Sequence, residues 1–218
     1  MMFSIALIGA DGAGKTTIAR RLEHSFPLPV KYLYMGHNAD STNVSLPTSR
    51  LVESWKRRRK RPAVNDEVRA KGWIWASMRM LNQFAEESYR QLLSWYYRKQ
   101  GWLVVYDRHY RFDFEYDSLR HRQRPFADRF HRWCLAQFYP KPDMVIYLDA
   151  PPETLYARKG EGTLSWLGER RRCFLEQARA TAHFIQIDAT QPLDGVYREV
   201  EQNILNYFRE RTGTVPAA

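Results

Sequence analysis

Residues 9–16 read Gly9-Ala10-Asp11-Gly12-Ala13-Gly14-Lys15-Thr16 and satisfy the pattern G-x-x-x-x-G-K-[ST]. These residue types suit a polyphosphate. Glycines let the backbone take positive φ and bring its N–H groups against phosphate oxygens. Lys15 adds a full positive charge within reach of the β- and γ-phosphates, and the Thr16 hydroxyl is placed to ligate Mg²⁺. Thr17 continues into a helix whose free N–H groups and positive end face the same anion. Residues 9–17 are therefore the expected ATP-binding set, with ATP and Mg²⁺ as cofactors.

A second group closes the stretch "GWLVVYDRHY", where an apolar run ends in Asp107-Arg108. A carboxylate at the carboxyl end of a strand beside a phosphate loop suits Mg²⁺ ligation or activation of an acceptor. The adjacent arginine can clamp an anionic acceptor bidentately. A third group follows "KPDMVIYLDAPPETLYARKGEG": Asp149 ends a strand, Pro151-Pro152 open a helix, and Arg158 and Lys159 precede a glycine-bearing stretch. "GERRRCFLEQAR" then brings Arg170, Arg171 and Arg172. Basic residues on both sides of a hinge read as a lid over 158–172 that neutralises charge on a moving phosphoryl group. At most one or two of the arginines can point inward from a helix. The expected catalytic residues are Lys15, Asp107, Arg108, Arg170 and Arg171; the expected metal ligands are Thr16 and Asp107.

The elements that must position these groups alternate. Short apolar runs over 3–8, 30–34, 102–106, 144–148 and 184–187 read as buried parallel strands. Helical periodicity covers 15–25, a long segment within 65–98, 126–138, 152–158, 167–182 and 193–211. Strands alternating with helices imply an α/β fold with a parallel sheet covered on both faces, and a ligand at the strands' carboxyl ends. In the long helix Ile74, Met78, Leu81, Ala85, Leu92 and Trp95 form an apolar stripe, read as core. Arg79, Gln83, Glu86 and Arg90 form a polar stripe that faces either solvent or an acceptor pocket, where Trp73 and Trp75 could stack on a ring. Residues 37–64 are an irregular basic insert containing "WKRRRKR". That run suits a solvated segment, a grip on an anionic acceptor, or peripheral contact with anionic lipid.

The 218 residues suffice for a single domain spanning 1–218, and 44% hydrophobic with 27% charged residues is an ordinary globular composition. The net charge of +10 points to a polyanionic partner such as nucleotide phosphates, nucleic acid or an acidic membrane surface. Cys134 and Cys173 lack metal spacing, and a reducing compartment is the simpler reading. The opening "MMFSIALIG" lacks a basic leader, and its short apolar run flows straight into the glycine loop. It reads as a strand, and a cytoplasmic setting is expected.

In order and spacing the chain resembles the thymidylate kinase family of P-loop nucleoside-monophosphate kinases. "GADGAGKTT" resembles the phosphate loop, "YDRHY" the Asp-Arg-Tyr segment, "PDMVIYLDAPPETLYAR" the strand–proline–helix segment before the lid, and "FLEQAR…FIQIDAT" the closing helix and strand. The resemblance implies a five-stranded sheet of order 2-3-1-4-5, ATP with Mg²⁺ as donor, and often a homodimer. It places Asp11 near the acceptor and gives Asp107 and Arg108 the acceptor phosphate and metal; with Arg79 and Gln83 from the polar stripe of the long helix, the expected acceptor-binding residues are Asp11, Arg79, Gln83 and Arg108. Gly12 stands where some members carry an arginine, so the neutralising arginine should come from the lid. Departures cluster on the acceptor side. His109 replaces a tyrosine, Phe112 falls where serine is common, and "YMGHNADSTNVS" lacks the usual Arg-Glu-Pro-Gly. These departures resemble divergent members found with bacterial surface-polysaccharide genes. The leading expectation is phosphoryl transfer from ATP to a nucleoside monophosphate such as dTMP. The alternatives are a kinase for a hydroxyl of a sugar, glycan or glycolipid, with Asp107 as general base, and a non-catalytic ATP-binding or nucleic-acid-associated protein.

Overall fold

The structure is a computed structural model. It describes residues 1–36, 72–112, 130, 133, 134, 137 and 139–213, without the side chains of 72–80 and 83. The insert at 37–64 and most of the helix expected over 126–138 lie outside the described residues.

β1 (Ser4–Ile8), β2 (Val30–Tyr34), β3 (Leu103–Asp107), β4 (Met144–Asp149) and β5 (Phe184–Asp188) form one parallel sheet of order β2-β3-β1-β4-β5. This is the expected order. The strands β1, β3 and β4 are buried along their whole length, because helices cover both faces. The side-chain period of two sorts them into two cores. Phe3, Ile5 and Leu7 face α1 (Lys15–Ser25) and α5 (Leu193–Thr212), meeting Ile18, Leu22, Val200 and Ile204. Ala6, Ile8, Val104, Tyr106 and Tyr147 face the other way and meet Phe112, Tyr139 and Phe174. On that side lie α2 (Gly72–Lys99) and α4 (Leu164–Ala178); α3 (Pro152–Lys159) links β4 to α4.

β3 and β4 each run one residue further than the apolar pattern suggests. Tyr34 pairs with Asp107, and Asp149 with Asp188, so the ladders extend to the acidic residues at the carboxyl edge. β1 lies between β3 and β4, and the crevice at this switch in strand order opens where the glycine loop leaves β1. The opposite edge is tied by Asp143. It accepts from the Ser4 backbone at 2.9 Å, from Arg98 at 2.8 Å and from Arg211 at 2.6 Å, joining β1, α2 and α5.

The long helix is turned the other way from the expected one. Leu81 and Leu92 are 63% exposed and Trp95 51%, whereas Glu87 and Ser94 are 8% and 2% exposed. Glu86 and Arg90 are also covered, at 12% and 11%. Among the described side chains, Leu81, Leu92 and Trp95 of the apolar stripe face outward and Glu86 and Arg90 of the polar stripe lie inward. Both stripes have helical spacing; on this flank the buried Tyr106 hydroxyl takes its partner from the inward face of the helix. Ser94 bonds Tyr106 at 2.6 Å. Among the described residues neither Cys134 nor Cys173 forms a disulfide. Among the described residues no helix is long and apolar enough to cross a membrane.

Candidate active site

The glycine loop is shaped by close approach. A Cβ on Gly9, whose φ is +148°, would stand 2.7 Å from the Leu148 carbonyl oxygen, so the loop can pack against the end of β4 only without a side chain. Gly14 is the N-cap of α1 with φ +89°, and no side chain caps the helix. The first amides of α1 therefore remain for an anion.

Lys15 is buried, and its Nζ donates to the Ala10 carbonyl at 2.8 Å, with Asp11 at 3.9 Å. Burial, and after it the charge of Arg108, pushes the ammonium pKa down to about 8, while Asp11 and Asp107 pull it up. One residue on, the Thr16 hydroxyl donates to Asp107 Oδ2 at 2.5 Å. Tyr32 donates to the same oxygen at 3.1 Å; burial and then the Asp107 charge push its phenol pKa up, which keeps it a donor. Asp107 is 1% exposed and its Oδ1 is buried without a hydrogen-bond partner among the described residues. An orphaned carboxylate oxygen beside a hydroxyl is a hard-oxygen donor set that suits Mg²⁺, which takes few protein ligands and completes its shell with phosphate and water. Among the described residues no cluster of three or more His, Cys, Asp or Glu forms an all-protein metal cage.

Arg108 follows with φ +68°, a conformation costly for a non-glycine residue. This turn swings its guanidinium onto Asp11. Burial alone would raise the Asp11 pKa, but Lys15, Arg108, Arg170 and Lys159 outweigh it and hold the carboxyl below its usual range. Asp11 thus stands between the cation of the phosphate loop and the arginine that follows β3.

The two arginines expected to serve a lid separate. Arg170 is 8% exposed; it lies over the Trp166 and Phe174 rings at 5.2 and 5.6 Å, and its charge reaches Asp11 and Lys15. Arg171 grips Asp149 with both arms, at 2.7 and 2.8 Å. Asp149 also accepts from Tyr147 at 2.8 Å and from Gln186 at 2.9 Å. A role for Arg171 on a moving phosphoryl group would require that pair to open. Arg158 donates to the Ala189 carbonyl at 2.9 Å, and Lys159 lies 3.9 Å from Asp11. Gly160 ends α3 in the left-handed region, and Thr163 caps α4 through Trp166 N–H, so the hinge between the two basic groups is a true break.

On the acceptor side, Arg79 and Gln83 belong to α2, but their side chains, like those of Trp73 and Trp75, are outside the described set. His109 is 1% exposed, ringed by Tyr106, Tyr110, Phe112 and Tyr139. Burial lowers its pKa to about 3, so it is neutral packing at neutral pH. Sequence reasoning did not find the Tyr32 contact or the Asp149 cluster. Asp149 carried a signal, a strand-terminal acid like Asp107; Tyr32, in mid-strand, carried none.

A central β1 followed by a glycine loop, with Thr16 and Asp107 meeting at the carboxyl edge, defines a P-loop kinase. A family model described as thymidylate kinase matches residues 71–200, a range that begins after the glycine loop. The chain is 34% identical over 117 residues to a protein of Archaeoglobus fulgidus named probable thymidylate kinase. That match covers 50% of this chain and 57% of the relative, so it spans little more than half of that protein. A Staphylothermus marinus protein, also named probable thymidylate kinase, is 28% identical over 221 residues, covering 94% of this chain and 96% of the relative. The chain belongs to the thymidylate kinase family, whose members are ATP-dependent nucleoside-monophosphate kinases.

Proposed function

We propose that this chain moves the γ-phosphoryl group of ATP onto the phosphate of a nucleoside monophosphate, with dTMP the foremost acceptor. The observation that carries this reading is the convergence on Asp11. Lys15, from the donor loop, and Arg108, from the end of β3, both bear on one carboxylate. Donor and acceptor phosphates held by these two cations would meet beside it. Phosphoryl transfer asks for little more than such positioning and charge stabilisation.

In this reading residues 9–17 wrap the triphosphate. Thr16 and Asp107 would hold Mg²⁺, which would supply neutralisation of phosphate charge. Arg108, with Arg79 and Gln83, holds the acceptor. Arg170 is the lid arginine turned toward the loop, and the segment 158–172 closes over it. A phosphate acceptor is already ionised, so no strong base is needed. A homodimer fits the exposed Leu81, Leu92, Trp95 and Tyr96 along α2. Light scattering of Leu92→Glu should then give a single-chain mass where the parent gives two.

The test is coupled ADP release across a panel of nucleoside monophosphates and simple sugars. Turnover should be highest with a nucleoside monophosphate and should vanish in Lys15→Ala. No turnover above the ATPase background on any nucleoside monophosphate would overturn the reading.

A further inference from the structure

Arg90 has no role in the site as described so far, yet it is built into it. From the covered face of α2 it donates through Nη1 to the Gly36 carbonyl at 3.0 Å. Its Nη2 lies 3.9 Å from Glu86, and its side chain is 11% exposed. Its Nε is buried with no hydrogen bond among the described residues. A buried guanidinium held to a backbone carbonyl is an unusual way to finish a strand end, since water could do the same at far lower desolvation cost.

What the Gly36 carbonyl belongs to explains the arrangement. A Cβ on Gly36 would stand 2.8 Å from Arg108 Cδ and 2.4 Å from Tyr34 Oη, so the stem of Arg108 runs directly against the bare α-carbon. The neighbouring Met35 N–H donates to the Asp107 carbonyl at 3.0 Å, the peptide that leads into Arg108. Gly36 is therefore fixed from both sides, by β3 through Met35 and by α2 through Arg90. Residues 32–36 (Tyr-Leu-Tyr-Met-Gly) carry no cation of their own. Arg108 itself holds a strained backbone, and its guanidinium direction depends on what its stem rests against.

We propose that Arg90 is a positioning residue for the acceptor phosphate: it pins Gly36, Gly36 seats the stem of Arg108, and Arg108 grips the acceptor. This inference rests on the functional reading above. It assigns Arg90 no contact with ATP, which separates it from a general structural role. A rise in acceptor KM with little change in kcat or in ATP affinity is its signature.

Two perturbations reach the seat from opposite sides. Arg90→Met removes the pin, and Gly36→Ala inserts a methyl against the Arg108 stem; Gly36 does not have positive φ, so alanine strains no backbone there. Calorimetric titration of dTMP and, separately, of MgATP into folded parent, Arg90→Met, Arg90→Lys and Gly36→Ala decides the matter. Both Arg90→Met and Gly36→Ala should bind dTMP about tenfold more weakly, as expected for a misplaced clamp, with ATP affinity within about twofold of the parent. Arg90→Lys, which keeps one donor for the carbonyl, should recover part of the loss. Unchanged dTMP affinity in both perturbed variants, or ATP affinity falling in parallel, overturns the assignment. Should Arg90→Met not fold, Gly36→Ala and Arg90→Lys carry the same test. If the parent binds MgATP but no nucleoside monophosphate, the functional reading itself falls, and Arg90's role with it.

Discussion

Lys15 must hold a positive charge where burial disfavours one, and its pKa near 8 is the result. An arriving triphosphate would favour the charged form and raise that pKa. At about pH 8.5 most of the unliganded protein carries a neutral Lys15, so binding must take up a proton. Calorimetry of ATP binding in buffers of different ionisation enthalpy should show uptake at pH 8.5 that fades by about pH 6.5, where Lys15 is already charged. Asp107 offers a second check. Its Oδ2 is satisfied by Thr16 and Tyr32 and its Oδ1 is buried with no hydrogen bond among the described residues, so Asp107→Asn preserves the shape and removes the charge. Turnover should drop about 100-fold or more. ATP affinity without Mg²⁺ should stay near the parent's, and the gain that Mg²⁺ gives should be lost. The residues of the loop were legible from their order alone, since a cradle of consecutive amides is specified by consecutive residues. The Tyr32 contact was not, because a tyrosine in an apolar strand looks like core.

At the level of elements, α4 is held to the sheet by a cluster rather than by a single bond. Arg171, Tyr147 and Gln186 all converge on Asp149, while the preceding Arg170 faces the phosphate loop. Anchoring one arginine to the sheet fixes the rotation of the helix and so aims its neighbour. Asp149→Ala would strand the buried Tyr147 hydroxyl and free the more exposed Arg171 and Gln186 to water; urea unfolding should show a loss of about 1–2 kcal/mol, and amide exchange across 164–178 should quicken. Helix α2 shows where periodicity ceases to inform. It carries an apolar and a polar stripe with equally good spacing, and the sequence suggested that the apolar one is core. In the structure the inward face supplies Ser94 to the buried Tyr106, and the described apolar members Leu81, Leu92 and Trp95 are left exposed.

The described structure is polarised: the proposed site lies at the carboxyl edge of the sheet, and the opposite edge is an ionic knot at Asp143. Burial alone would raise this carboxyl's pKa, but hydrogen bonds from Arg211 and Ser4 and the charge of Arg98 hold it below the ordinary value. A carboxyl depressed in the folded state contributes stability above its unfolded pKa of about 4, lost as pH falls through the folded value. Asp143→Ala should cost about 2–3 kcal/mol at neutral pH, because it leaves Arg98 partly buried without its carboxylate, and the penalty should shrink as pH falls through the folded value. Denaturation at pH 7 and pH 2.5 checks both statements, with ATP affinity unaffected because the knot is at the far edge.

The strand–loop–helix start, the alternation of strands and helices, and the strand-terminal acid with its arginine were all readable in one dimension, because each depends on neighbours within a turn or a strand. The sequence could not say which distant groups meet. Thr16 finds Asp107 across 91 residues, Arg90 finds Gly36 across 54, and Arg171 chooses Asp149 across 22. Those meetings, and the face that α2 turns inward, follow from strand order and helix rotation. Both are settled only when desolvated polar groups on separate elements must satisfy one another.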